Sequence, residues 1–178
     1  NSSFLSSNLS EPQIYHKSKL VVGVENMPYK EFLEPILGNA LLNLGGSVMS
    51  RGIQENRIAH TLNNGIKVAP IICYESVYGE YVTEYVRNGA QMLAIITNDG
   101  WWKKTSGYKQ HNMYAALRAI ESRRYIARSA NTGISAIFNH MGQIEASLDW
   151  DKRGLLQFNI PVLNQKTFYV RHGDYLGR

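Results

Sequence analysis

The chain has 178 residues, 44% of them hydrophobic, which is enough for one domain with a substantial core. Its 19 Lys and Arg against 14 Asp and Glu leave a net charge of +5, which favours an anionic partner surface, nucleic acid or lipid headgroup, without choosing between them. A single cysteine excludes an internal disulfide framework, and no apolar run reaches the roughly 18 residues of a bilayer-crossing helix.

No signal-peptide pattern opens the chain, and the first residue is Asn1 rather than Met, so it reads as a processed or excised piece. Serines fill half of the first ten positions, as a frayed tail or a short strand, with a turn expected at Ser10-Glu11-Pro12. Residues 14–22 alternate imperfectly, as a strand with one exposed face does. Beyond Glu25 the text is broken by Pro28, Pro35, Gly38, Gly45 and Gly46. A short helix near 29–37 and a long loop follow from this, and 37–52 is the candidate for a mobile lid, with an ordinary surface loop as its alternative.

Asn63-Asn64-Gly65 signals a turn. It leads into Val68-Ala69-Pro70-Ile71-Ile72, a short apolar run that reads as a buried strand and stops at Cys73-Tyr74-Glu75-Ser76. Cys73 then stands at the carboxyl edge of a sheet, where open α/β sheets build their sites. A nucleophile fits there, and so does a small core hydrophobe. Glu75 shares the neighbourhood of Cys73 if the chain stays extended.

Residues 80–87 read as a helix with Val82, Tyr85 and Val86 inward and Asn88-Gly89 as its stop. Residues 92–97 read as a buried parallel strand, ending in the polar loop Asn98-Asp99-Gly100-Trp101-Trp102-Lys103-Lys104. Between 110 and 125, Met113, Ala116, Leu117 and Ile120 recur at helical spacing, which turns that stripe inward and Arg118, Arg123 and Arg124 toward solvent. The last third reads as strands at 133–139, 144–150 and 155–162, before a tail from Thr167 that mixes aromatics with Arg171, His172 and Arg178. Strand–helix alternation followed by a meander makes this an α/β domain with a mixed sheet.

A thiol near its reference pKa of about 8.5 is only a few per cent thiolate at neutral pH, so a nucleophilic cysteine needs a cation or base beside it. His16, His60, His111, His140 and His172 have no diagnostic spacing and read as surface or satisfied polar residues. No His or Cys pair has metal-ligand spacing and no glycine-rich phosphate loop occurs, so neither metal nor cofactor is expected. Lys17 is the other activator: an ammonium favours the thiolate and later a tetrahedral oxyanion. Taken singly, Lys17 reads as a solvated strand lysine.

Lys17-Ser18-Lys19-Leu20-Val21, then Glu25 and Pro28, then Ile72-Cys73-Tyr74-Glu75, then Asn98-Asp99-Gly100-Trp101 resembles the nitrilase superfamily of carbon–nitrogen hydrolases. Gln110-His111, Arg118-Ala119-Ile120-Glu121, Arg128-Ser129-Ala130-Asn131-Thr132-Gly133 and Thr167-Phe168-Tyr169-Val170-Arg171-His172-Gly173-Asp174 narrow the likeness to the periplasmic catalytic domain of the apolipoprotein N-acyltransferase family. The resemblance implies an α/β nitrilase-like αββα sandwich, truncated at its N-terminal side, with 1–178 a single domain. It implies Cys73 as nucleophile, Lys17 as oxyanion-stabilising lysine, Glu25 as the acid that orients Lys17, and Tyr74 and Glu75 as flanking site residues. The backbone N–H after Cys73 is then a second oxyanion donor.

The resemblance further implies transfer of an acyl chain from a phospholipid to the α-amino group of a lipoprotein's diacylglyceryl-cysteine. The setting is a membrane surface on the periplasmic side of the bacterial inner membrane, in a multi-pass protein. Trp101 and Trp102, followed by Lys103 and Lys104, suit a headgroup interface, and equally suit packing over the site. The family's general-base glutamate precedes the lysine by many tens of residues, and only sixteen residues precede Lys17 here, so the chain alone is expected to be nearly inactive. Two alternatives stand beside this reading: a soluble nitrilase-type amidohydrolase and a non-catalytic lipid-binding fragment. Nucleic-acid binding has only the net charge behind it.

Overall fold

The computed structural model describes residues 1–7, 10–21, 25, 54–175 and 177. The expected helix at 29–37 and the candidate lid at 37–52 lie outside them. Strand β1 (Ser2–Ser7) pairs antiparallel with β2 (Ser10–His16), Phe4 opposite Ile14 and Ser3 opposite Tyr15. The serine-rich start is therefore a strand, and Ser10-Glu11-Pro12 is part of β2 rather than the turn. The expected strand at 14–22 also ends early, at His16, so Lys17 follows directly on a strand end.

A six-stranded sheet holds β3 (His60–Thr61), β4 (Lys67–Ile72), β5 (Met92–Asn98), β6 (Ile126–Asn131), β7 (Ser135–Phe138) and β8 (Ile144–Leu148), in that order. The pairs β4–β5 and β5–β6 are parallel; β3–β4, β6–β7 and β7–β8 are antiparallel. Pro70 has no N–H to give a ladder, and it lies where β3 no longer pairs with β4, since that pairing stops at Val68. Strand β6 was not legible as a strand, because Arg128 and Ser129 interrupt any apolar period. The expected strand at 155–162 is not one; its residues form no ladder, and Leu155 is exposed.

Helix α1 (Gly79–Arg87) buries Tyr81, Val82, Tyr85 and Val86, as its spacing predicts. Helix α2 (Ser106–Ser122) is capped by Thr105, whose hydroxyl accepts from the Gly107 N–H, and stops at Arg123 in the left-handed conformation. A short α3 (Phe168–His172) follows the long extended segment. All three helices pack together, and Val82, Tyr85, Ala115, Ala119 and Val170 join Ala69, Ile71, Leu93, Ile95, Ile126 and Phe138 in one buried cluster. Burial of such side chains stabilises by roughly 1.5–3 kcal/mol each for the large ones.

Of the apolar stripe expected to face inward on α2, Ala116 alone is buried. Met113, Leu117 and Ile120 are about half exposed, while His111, Asn112, Arg118 and Ser122 are buried with Ala115 and Ala119. Small residues let the helix approach the sheet, and the polar ones reach partners at its edge. Arg118 and Arg124, expected in solvent, are both buried; Arg124 donates to the carbonyls of Ala90 and Gln165. Strand β5 is parallel as expected, but only alternate residues are fully covered: Leu93 and Ile95 are buried, while Ile96 is half exposed.

Candidate active site

The parallel strands β4, β5 and β6 end side by side, and the site is built on their carboxyl edge. Strand β4 runs into a tight helical turn, Cys73–Val77, and β5 into a second, Asp99–Trp102. Cys73 itself has φ 53°, the left-handed region that costs an L-residue about 1–2 kcal/mol. A turn of this kind at a strand end changes the chain's direction within one residue. The chain therefore does not stay extended at Cys73.

A cavity of about 360 Å³ is lined by Lys17, Val21, Glu25, Cys73, Tyr74, Asn98, Trp101, Trp102 and His111. Cys73 is half-buried and free. Lys17 is 1% exposed, so it is not the solvated lysine that its local sequence suggests. Its Nζ donates to Glu25 Oε2 at 2.5 Å, and that oxygen also accepts the Val21 N–H at 2.9 Å. The Asn1 amide donates to Glu25 Oε1 at 2.5 Å. Burial alone would raise the Glu25 carboxyl, yet the Lys17 and Val21 hydrogen bonds and the ammonium charge hold it below the usual range.

Glu75 does not line this cavity. Its carboxylate is fully buried: Oε1 accepts from Tyr15 at 2.8 Å, Tyr81 at 2.7 Å and the Ser18 N–H at 2.7 Å, and Oε2 accepts the Ile72 N–H at 2.8 Å. It thus ties the residue after Lys17 to the residue before Cys73. Burial, then the Glu75 charge, pushes both phenols above their ordinary range, so they remain donors. Tyr74 faces the cavity and meets Tyr78 edge to face, with centroids 5.6 Å apart. Trp101 and Trp102 are about half exposed at the cavity's rim. The Trp102 ring also packs on Gly107, where a Cβ would sit 2.6 Å from it, so only glycine fits beneath that ring.

Asp99, His111 and Arg128 stand in motifs that carry the family resemblance, but no spacing pairs them, because they lie on different elements. Asp99 is fully buried and accepts from Arg128 at 2.7 Å and from Thr97 at 3.2 Å; His111 Nδ1 lies 2.8 Å away. His111, read from its spacing as a surface or satisfied polar residue, both satisfies this carboxylate and lines the cavity. Burial would raise Asp99, but the His111 hydrogen bond and the Arg128 guanidinium hold it below the usual carboxylate range.

Asp99 and Glu25 therefore share one sign. A carboxylate whose folded pKa lies below its unfolded value adds stability above the unfolded pKa and loses it as pH falls through the folded one. Asp99→Asn and Glu25→Gln chains should melt lower than wild type at neutral pH, and lose less on acidification from about pH 5 to pH 2. Melting curves across that window check this; equally steep acid limbs in all three chains would contradict it.

The fold has clear relatives among solved structures. An amidase from Nesterenkonia sp. AN1, seen with acrylamide added at its active-site cysteine, superposes with a TM-score of 0.57 at 17% identity, over 84% of this chain and 52% of that one. A carbon–nitrogen hydrolase from Helicobacter pylori G27 gives 0.52 at 12% identity, over 60% of this chain and 43% of that one. The architecture is thus an α/β nitrilase-like fold. Residues 1–165 match the carbon-nitrogen hydrolase family model, and the chain belongs to that family. The apolipoprotein N-acyltransferase of Chlorobaculum tepidum is 37% identical over 165 residues, covering 91% of this chain and 31% of the relative. That of Thermotoga maritima is 31% identical over 163 residues, covering 92% of this chain and 31% of the relative. The chain therefore spans about a third of the length of these curated relatives.

Proposed function

We propose that the chain carries the acyl-transfer site of an N-acyltransferase, which takes an acyl chain from a phospholipid and passes it to the α-amino group of a lipoprotein's diacylglyceryl-cysteine. The observation that carries this reading is the single cavity shared by Cys73, the buried Lys17 and two exposed tryptophans. The names of the curated relatives supply the substrate class.

Cys73 thiolate attacks the ester carbon, and the carbonyl electron pair moves onto oxygen, where the Lys17 ammonium and the Tyr74 N–H stabilise it. Collapse breaks the ester C–O bond; lysophospholipid leaves with the proton that the thiol gave up, and the acyl group stays on sulfur as a thioester. The acceptor amine then attacks that carbonyl, the C–S bond breaks, and an amide forms with the thiol restored. Glu25 holds Lys17 in place rather than touching substrate. Glu11, the one glutamate ahead of Lys17, is an exposed β2 residue and no candidate for the base. Slow turnover by this chain alone belongs to the same reading.

Trp101, Trp102, Lys103 and Lys104 are all exposed, so that aromatic rings and cations are offered together to a headgroup layer. The setting that goes with these substrates is the periplasmic face of the bacterial inner membrane, in a multi-pass protein. The described residues contain no helix long and apolar enough to cross a membrane.

The test is to incubate the chain with phosphatidylglycerol vesicles at about pH 9, where a thiol ionises without a base, and to weigh the protein. An added acyl mass on Cys73, absent from Cys73→Ala, is expected. No adduct with lipid alongside rapid turnover of a small amide would replace this reading with an amidohydrolase.

A further inference from the structure

A buried line of hydrogen bonds runs from strand β6 to the backbone of Cys73. Arg128 donates to Asp99 Oδ2 at 2.7 Å, and its other Nη donates to the Ile134 carbonyl. His111 Nδ1 is 2.8 Å from Asp99 Oδ1, and His111 Nε2 is 3.2 Å from Ser76 Oγ. The Ser76 hydroxyl donates to the Cys73 carbonyl at 2.8 Å. Ser76, His111, Asp99 and Arg128 are each more than nine-tenths buried. The imidazole lies between Asp99 and Ser76, its two ring nitrogens 2.8 and 3.2 Å from their oxygens. Arg118 secures the other end of the same turn by donating to the Ser76 and Val77 carbonyls at 3.3 and 2.8 Å.

The line ends on the carbonyl of a residue in an unfavourable conformation. A trans peptide is planar, with its C=O and N–H pointing in opposite directions. Fixing the Cys73 oxygen toward Ser76 therefore fixes the Tyr74 N–H on the opposite side of the same plane. Without that hold, the plane can swing out of a left-handed turn at little cost. Asp99 and Arg128 stand on or at the end of sheet strands, which makes the hold rigid.

We propose that Ser76, His111, Asp99 and Arg128 are positioning residues that lock the Cys73–Tyr74 peptide plane and so aim the Tyr74 N–H at the oxyanion formed when Cys73 is acylated. The proposal rests on the reading of Cys73 as nucleophile. Its distinguishing property is that it concerns only reactions that pass through an oxyanion.

The chain's single cysteine makes the test direct. With p-nitrophenyl butyrate at about pH 9, the thiolate attacks the ester carbon, an oxyanion forms, p-nitrophenolate is expelled and a thioester remains on Cys73. With iodoacetamide, sulfur displaces iodide at a methylene carbon and no oxyanion arises. Ser76→Ala and His111→Asn should slow acylation about tenfold to a hundredfold, with the donor misaimed rather than removed, and leave alkylation within about twofold. Ser76→Thr, which keeps the hydroxyl, should acylate faster than Ser76→Ala. Unchanged acylation in Ser76→Ala overturns the proposal, and so does an equal fall in both reactions, which would mean structural support only. A Lys17→Met control separates the two readings: slower acylation there with unaffected Ser76 and His111 variants defeats the positioning role alone. A wild-type Cys73 that alkylates but never acylates defeats the nucleophile reading and the proposal with it.

Discussion

Replacing Glu75 with alanine is expected to cost about 4–6 kcal/mol, enough to leave much of the chain unfolded at 25 °C, since domains of this size are stable by only about 5–15 kcal/mol. The carboxylate is fully buried and accepts from Tyr15, Tyr81, Ser18 and Ile72. Alanine removes the acceptor of these donors and of the Lys19 N–H at 3.4 Å; the phenols retain each other and Ser18 as partners, while each buried donor left without an acceptor costs about 1–3 kcal/mol before water enters or the turn relaxes. Glutamine keeps the volume and one acceptor oxygen, but its amide N–H₂ meets donors, so about 1–3 kcal/mol is expected for Glu75→Gln. Burial, then the Glu75 charge, holds both phenols above their ordinary range, so at neutral pH both are protonated and face the carboxylate as donors.

Denaturant unfolding of the three chains measures these differences, and an alanine variant within about 1 kcal/mol of wild type would show that the cluster does not hold the turn. The functional consequence is indirect. Ser18 follows Lys17 and Ile72 precedes Cys73, so a loosened Glu75 lets the ammonium and the thiol drift apart. In Glu75→Gln, acylation of Cys73 should therefore fall even in the fraction that remains folded.

The strand into Cys73 was legible because it is a short β-branched run bounded by a glycine turn, and α1 because Val82, Tyr85 and Val86 repeat at helical spacing. Pattern reading assumes that apolar residues face inward, and α2 breaks the assumption. Its inward face carries His111, Asn112 and Arg118, which have partners on other elements, while Met113 and Leu117 are left half exposed. For the same reason β6 escaped notice: Arg128 spoils the apolar period yet is buried, because Asp99 lies 29 positions earlier at the end of the neighbouring strand. Spacing cannot reveal a pair that only the sheet brings together.

The candidate site rests on likeness instead. Cys73, Lys17 and Glu25 are read from the family's order of motifs and line one cavity, and nothing local marks Lys17 as buried; its burial goes with a carboxylate eight residues on. Glu75 is not among the residues that line the cavity. The chain turns at Cys73 through a positive φ, which no glycine announces. Sequence alone treats a left-handed cysteine as any other cysteine.

That conformation supports the second prediction with a large effect. Cys73→Ala and Cys73→Gly should both abolish acylation outright, since the attacking sulfur is gone, but the two should differ in stability. Alanine retains a Cβ and with it the cost of about 1–2 kcal/mol of the left-handed region. Glycine adopts φ 53° freely and forfeits about 0.5–1 kcal/mol through its greater freedom when unfolded. The net gain, about 0–1.5 kcal/mol with a midpoint of about 0.75, corresponds at that midpoint to melting about 1.5–3 °C above the alanine variant for a chain of this size. The Ser76 bond to the residue 73 carbonyl is available in both, so it does not enter the difference. A glycine variant no more stable than alanine would mean that the turn bears no strain. A gain would mean that the proposed nucleophile is kept in a conformation its own side chain disfavours, and that the sequence retains cysteine at position 73 against its stability.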